Sequence, residues 1–149
     1  MKPEFLLTVR GYQHYENQEP DMVELTTEAE LTAEGGVLYL RYEETELTGL
    51  RGTLTTFEVH PHWVILRRTG KLASELKFMV GKTYQSLYDM GHGALLVTIR
   101  TTEIDDRLTL NGGTLRVSYL ISIEGLGSGR IVYAVEVRKK PEGGQKQRD

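Results

Sequence analysis

Residues 23–44 read VELTTEAELTAEGGVLYLRYEE, and this stretch decides the fold class. From 23 to 32 the mostly apolar odd positions alternate with polar even positions, which is the period of a strand with one buried face. Glutamate and alanine favour helix, but the length of this alternation outweighs their propensity. Gly35-Gly36 then separates two alternating runs, which predicts a type I′ hairpin because both glycines can adopt positive φ.

The same period recurs along the chain, and the breaks between the runs consist of turn residues. Asn111-Gly112 is the strongest short hairpin signal. We therefore predict about ten strands. The eighth is long, and we expect it to bend near Asp105-Asp106. The predicted strands span approximately 4–14, 22–33, 37–46, 53–59, 62–68, 75–80, 83–90, 94–110, 114–124 and 130–138.

Short links between many strands imply that consecutive strands pair antiparallel. A long meander leaves two exposed edges, and closure into a barrel removes them. A two-sheet sandwich is the alternative, but its crossovers usually need longer links than most seen here. We predict an all-β, single antiparallel up-and-down barrel of about eight to ten strands over residues 1–138. Residues 139–149 are polar, contain Pro and Gly-Gly, and are expected to form a disordered tail.

Composition narrows the cellular setting and the partners. The chain has no cysteine, which fits a reducing compartment, and it has no apolar run long enough for a signal peptide or a membrane span. We expect a cytoplasmic protein without membrane contact. The net charge of −3, with both signs mixed along the chain, makes nucleic-acid binding unlikely.

One carboxylate does not fit the pattern of a simple apolar interior. Glu44 is in phase with Leu38, Leu40 and Tyr42, on the expected inner face of its strand. An isolated buried charge is very costly, so Glu44 needs a partner. The strand near 62–68 offers an inward arginine in either phase, Arg67 or Arg68. The expected polar cluster inside the barrel comprises Tyr42, Glu44, Thr56, one of these arginines and Tyr88.

Four stretches together resemble the YwiB-like family of small bacterial proteins, from about Phe5 to Val137. They are RYEETELTGLRGTLTTFEV, VILRRTG, LKFMVGKTYQSLYDMGHGALLVTIRT and GGTLRVSYLISIEG. The resemblance implies a calycin-like (lipocalin-like) barrel and a domain of unknown function. Its pattern matches Tyr42 with Glu44, Arg68 with Gly70, and Tyr88 with Gly93, and it selects Arg68 as the inward arginine. The family's loop usually reads Tyr-x-Thr-Pro-Tyr-Gly, and this chain departs from it at Met90, Gly91 and His92.

Two interpretations of the polar cluster remain open. Tyr42, Glu44, Thr56, Arg68 and Tyr88 form either a buried network that fixes strand register, or a ligand site. Arginine's planar fork suits a carboxylate or phosphate, so the ligand would be small, anionic and partly apolar. In the alternative, a solidly packed barrel acts as a dimeric or partner-binding module, with outward Trp63 and Ile65 beside Arg67 as a small association patch.

The sequence gives little evidence for a metal site or for catalysis. His60 and His62 lie in one tight turn and are too few for a typical zinc site, so we predict no metal. Glu44 with a second acid, or His92 with Asp89, could do acid–base work, but no nucleophile elbow or phosphate loop is present. The sequence therefore favours a non-enzymatic protein without a cofactor.

Overall fold

The computed structural model describes residues 4–46, 50–89, 91 and 93–141. Ten strands form within these residues, which confirms the all-β prediction with small differences at the strand ends. They are β1 (Phe5–Tyr15), β2 (Asp21–Glu34), β3 (Val37–Glu43), β4 (Thr53–Val59), β5 (Val64–Gly70), β6 (Ser74–Phe78), β7 (Thr83–Asp89), β8 (Ala94–Thr109), β9 (Gly112–Ile123) and β10 (Gly127–Lys139).

All ten strands belong to one antiparallel sheet. Its order is β6-β5-β4-β3-β2-β1-β10-β9-β8-β7, so every hydrogen-bonded neighbour is also a chain neighbour except β1 and β10. Those two strands pair along their length, from Phe5 opposite Lys139 to Tyr15 opposite Gly129. A single sheet rules out the sandwich and confirms the up-and-down arrangement.

The sheet curls so that its two edge strands, β6 and β7, meet. Ala73 and Asp89 exchange both backbone hydrogen bonds, at 2.9 and 3.0 Å. Beyond the other end of these strands, the Gly81 amide donates to the Thr101 carbonyl at 2.9 Å. In the part of the chain that the structure describes, the two edges are bridged only near their ends, so the barrel is nearly closed, and we call the β6–β7 junction the seam.

The two faces of the sheet differ as the alternation predicted. The inner face forms one apolar core, whose largest fully buried side chains include Tyr119, Phe57, Phe78, Leu7, Leu40 and Leu66. The outer face carries ion pairs, such as Arg10 with Glu24 at 2.9 Å and Arg67 with Glu58. Burial of the inner face supplies most of the driving force for folding, since exposed ion pairs contribute little.

The predicted bend in β8 was placed wrongly. The ladder to β9 shifts between Thr101 and Glu103, not at Asp105-Asp106. Thr102 is the extra residue of this bulge, and its hydroxyl donates to the Ser118 carbonyl at 3.1 Å. A bulge changes which alternate residues face inward. Asp105 and Asp106 remain in register with β9.

Both predicted hairpins form, and the second turns one residue earlier than its Asn-Gly signal. Gly35 and Gly36 link β2 to β3 with φ of 61° and 82°, as a type I′ turn requires. In the second hairpin, Thr109 pairs with Gly112, so the two-residue loop is Leu110-Asn111 rather than Asn111-Gly112. Gly112 has the positive φ, and Asn111 does not.

The end of the chain is described only in part. β10 continues to Lys139, into the segment predicted to be a tail, and the Lys140 amide donates to the Glu4 carbonyl at 3.0 Å. The rest of the predicted tail, residues 142–149, lies outside the described residues. No helix in the described part of the chain has the length and apolar character of a membrane span.

Candidate functional site

Four polar or aromatic side chains form a row across neighbouring strands. Tyr42 of β3 lies opposite Thr55 of β4, Thr55 opposite Arg68 of β5, and Arg68 opposite Ser74 of β6. Residues directly opposite one another in an antiparallel sheet point to the same face. All four are buried, so this row faces the barrel interior.

Glu44 joins the row just after β3 ends. Its backbone amide donates to the Thr53 carbonyl at 2.9 Å, which continues the β3–β4 pairing by one step. The Thr55 hydroxyl donates to Glu44 Oε2 at 2.6 Å, and Arg68 Nε lies 3.8 Å from the same oxygen. Both side chains of this ion pair are buried, so the partner that Glu44 was expected to need is Arg68.

Tyr133 completes the network from the other side of the barrel. Arg68 Nη2 donates to the Tyr133 hydroxyl at 2.9 Å. The Tyr133 ring also contacts Phe57 edge-on, with centroids 6.2 Å apart. Sequence analysis did not single out Tyr133. The available signal was its hydroxyl, in a set that otherwise contains Ile131, Val135 and Val137.

Tyr88 reaches the same arginine across the seam. The Ala73–Asp89 bridge brings the end of β7 beside the start of β6, and Tyr88 forms a hydrogen bond with Arg68. Burial, reinforced by Tyr133, raises the pKa of Tyr88 to about 12. Its phenol is therefore neutral at physiological pH and can donate a hydrogen bond.

Arg68 and Tyr42, like Tyr88, have raised pKa values. Burial opposes the charge on Arg68, but Tyr133, Tyr88 and Tyr42 outweigh it and raise the Arg68 pKa. Burial, the Glu44 carboxylate and a hydrogen bond to it raise the pKa of Tyr42. The cluster thus holds a permanent guanidinium beside the neutral phenols of Tyr42 and Tyr88.

The structure corrects the choice of threonine. Thr56 lies opposite Arg41 and Arg67, on the outer face of the sheet, while Thr55 occupies the inner position. The sequence was ambiguous here because Leu54, Thr56 and Glu58 on one face resemble Thr53, Thr55 and Phe57 on the other. The fully buried Phe57 identifies the inner set. Tyr42, Glu44, Arg68 and Tyr88 are brought together, and Thr56 is not.

A cavity of about 180 Å³ lies against this cluster and is partly open to solvent. Arg68, Glu44, Tyr42 and Tyr133 supply its polar wall. The rest of its lining comes mostly from β1, β2 and β10 and is largely apolar, with Val9, Val23, Leu25 and Ile131, while Gln13 adds a polar side chain. Gly11, between these apolar residues, contributes no side chain. The interior at this end of the barrel is therefore not packed solid.

One polar atom of the cluster has no hydrogen-bond acceptor. Arg68 Nε has Glu44 as a charge partner at 3.8 Å, but this distance is too long for a hydrogen bond. Among the residues that the structure describes, no acceptor is within reach of this nitrogen. Buried polar groups are almost always hydrogen-bonded, so the exception marks Arg68 as the point where the network is incomplete.

The remaining candidates lie elsewhere. His60 stacks on Trp63 with centroids 4.7 Å apart, and Lys77 Nζ lies 5.1 Å from the Trp63 ring; Trp63 and Ile65 of the proposed association patch are partly exposed. His60 also approaches Glu58, at 3.4 Å. Among the described residues no three histidine or acidic side chains form a possible metal site. Met90 and His92 lie outside the described residues.

Comparison with known proteins identifies the family. A family model described as a domain of unknown function, DUF1934, matches residues 7–134. The chain belongs to the DUF1934 family. The crystal structure of the YwiB protein from Bacillus subtilis is similar to this DUF1934 barrel, with a TM-score of 0.78 and 18% sequence identity over 93% of each chain. This likeness shows a shared fold. Among curated proteins, none matches the chain.

Proposed function

We propose that this DUF1934 protein is a non-enzymatic binding protein for a small, anionic and partly apolar molecule held inside the barrel. The observation that supports the proposal is a cavity that joins a buried guanidinium to an apolar wall. Arg68 is 6% exposed and lines this cavity, and its Nε has no acceptor among the described residues. A ligand oxygen would supply that acceptor.

The cavity size limits the ligand. Typical pockets for drug-sized ligands occupy roughly 300–1,000 Å³. This cavity, at about 180 Å³, is smaller. It is comparable with an engineered apolar cavity of about 150 Å³ in another protein, which accepts benzene. The ligand's apolar part therefore contains about six carbon atoms or fewer.

Glu44 has a supporting role in this proposal. Thr55 holds its carboxylate at 2.6 Å, and the carboxylate in turn holds Arg68 in the row. Its negative charge also keeps the empty cluster neutral, which reduces the cost of burying the guanidinium. The ligand accepts a hydrogen bond from Arg68 Nε and leaves the hydrogen bond between Thr55 and Glu44 in place. A cysteine-free chain is compatible with a cytoplasmic setting for such a protein.

Native mass spectrometry of the protein purified from its own host tests this function. We expect a small-molecule adduct on the wild type that is absent from Arg68→Ala. Arg67→Ala is the matched control, because Arg67 immediately precedes Arg68 in β5 but pairs with Glu58 and Glu75 on the outer face. That variant should retain the adduct.

The opposite result would mean that the polar cluster has only a structural role. Absence of an adduct from the wild type, together with a large loss of thermal stability in Arg68→Ala, would mean that the ion pair serves only to hold the barrel. The same spectra give the oligomeric state, so a dimer without an adduct would favour the alternative of a partner-binding module.

A further inference from the structure

Gln13 is a polar side chain on the largely apolar side of the cavity. It lies on β1, in phase with the inward residues Val9 and Gly11, and directly opposite Ile131 of β10. These four residues and Arg68 all line the same cavity. Because that cavity measures only about 180 Å³, one small molecule inside it can contact both Gln13 and Arg68.

The side-chain amide of Gln13 is available to a ligand. It makes no hydrogen bond within the described part of the chain, and the residue is half-buried. A primary amide carries one acceptor oxygen and two N–H donors. The amide can therefore donate to a hydroxyl group of a ligand, or accept from it.

Gln13 lies at a different level of the barrel from the polar cluster. The Tyr133 hydroxyl accepts a hydrogen bond from Arg68, and Tyr133 stands directly opposite Gly11. Gln13 is the next inward residue of β1 after Gly11, about 7 Å further along the strand. A ligand that contacts both Arg68 and Gln13 therefore has two polar ends, joined by a hydrocarbon chain of about six carbon atoms or fewer.

We propose that Gln13 binds the end of the ligand that is remote from Arg68, and that the ligand is a short carboxylic acid with a neutral hydrogen-bonding group, such as a hydroxyl, at that end. The carboxylate is bound by Arg68, and the hydrocarbon chain lies along Val23 and Leu25. This inference rests on the proposed function, and it adds a binding residue and a ligand class. Sequence analysis did not single out Gln13.

The charges around the cavity favour a ligand with one carboxylate and a neutral second group. Among the described residues that line it, Arg68 is the single cation and Glu44 the single anion, and the two lie 3.8 Å apart. A second carboxylate or an ammonium group at Gln13 would have no opposite charge beside it, which is costly where solvent is partly excluded. A hydroxyl needs only the hydrogen bond that the Gln13 amide offers.

Isothermal titration calorimetry with butyrate, 4-hydroxybutyrate and 4-aminobutyrate tests the assignment. We expect the wild type to bind 4-hydroxybutyrate about fivefold more tightly than butyrate, because of the added hydrogen bond to Gln13. Gln13→Met keeps the length of the side chain but removes its amide, and should abolish this preference. Gln85→Met is the matched control, since Gln85 lies on the outer face of β7, bonded to Thr98, and does not line the cavity.

The outcomes separate the two proposals. Equal wild-type affinity for butyrate and 4-hydroxybutyrate, with both lost in Arg68→Ala, would overturn the role of Gln13 and leave the Arg68 site standing. The same conclusion follows if Gln13→Met keeps the preference. Tightest binding of 4-aminobutyrate would overturn the neutral ligand class. Binding of none of the three compounds, together with no adduct on protein from its own host, would overturn both proposals. Circular dichroism checks that each variant is folded.

Discussion

Glu44 shows how a single charged residue is accommodated in a barrel interior. Its carboxylate accepts a hydrogen bond from Thr55 and lies near Arg68, which in turn donates to Tyr133. A buried ion pair is weak evidence for added stability, because desolvation offsets the attraction. Removing one member is still costly, since it leaves the other without compensation. The network therefore specifies which side chains must occupy the inner row.

Thr55 and Thr56 allow a test of that network with a matched pair. Thr55→Val removes the donor of the 2.6 Å hydrogen bond to Glu44 and should lower the free energy of unfolding by about 1–3 kcal/mol. Thr56→Val removes a hydroxyl that is also buried but lies on the outer face, opposite Arg41 and Arg67 and away from Glu44, so it should lower the free energy of unfolding by less than Thr55→Val does. Urea denaturation measures both. Equal losses in the two variants would contradict the inward assignment of Thr55.

The end of β5 explains why the strand carrying Arg68 finishes with a glycine. Gly70 has a φ of +109° and lies opposite Thr53. A Cβ at this position would be 2.3 Å from the Gly52 carbonyl oxygen. No side chain fits there without moving the β4–β5 pair, and Arg68 is on that pair. The Arg-x-Gly pattern therefore has a steric basis next to the site.

Two glycine substitutions separate this steric demand from the cost of positive φ alone. Gly35 also has a positive φ, 61°, but no atom lies within 4 Å of the position that a Cβ would occupy. Gly35→Ala should therefore lower the free energy of unfolding by about 1–2 kcal/mol. Gly70→Ala meets backbone as well and should cost more than about 3 kcal/mol, or prevent soluble expression. Thermal denaturation of both variants gives the comparison, and equal melting temperatures would show that the β4–β5 pair shifts easily.

The arrangement of the whole barrel places the chain ends and the seam on different strands. β1 and β10, which carry the ends, pair with each other and are each flanked by a second long strand. β6 and β7, in the middle of the chain, are the sheet edges and are bridged at Ala73–Asp89. The site lies next to this seam, because Ser74 and Tyr88 belong to the two edge strands. Stability should therefore be lowest on the side of the barrel that holds Arg68.

Hydrogen exchange followed by mass spectrometry tests this distribution. Amides of β1 and β10 should exchange slowest, because neighbouring strands pair with both sides of each. Amides of β6 and β7 should exchange fastest among the ten strands, since they form the edges of the sheet. Equal protection of the seam and of β1 without ligand would show a barrel that is fully closed in solution.

Much of the architecture could be read from the residues in advance. Alternation along each strand and glycine at the turns are local properties, so they predicted ten strands and the type I′ turn at Gly35-Gly36. Even the bulge left a local trace, because the inward apolar residues change from odd at Ile99 to even at Ile104 and Leu108. Attributing the bend to the two aspartates, rather than to this change of phase, placed it a few residues too late.

The sequence by itself determined that the protein is built of antiparallel strands and favoured a barrel with a carboxylate and an arginine inside, because strand parity and the cost of a buried charge are enough to require both side chains. Only the tertiary structure decided which neighbours complete the cluster. Thr55 rather than Thr56, Tyr133 from across the barrel, and Ser74 beside Arg68 all depend on register and on closure. The physical reason is that these contacts join residues far apart in the chain, and no local pattern records how strands align once the sheet curls.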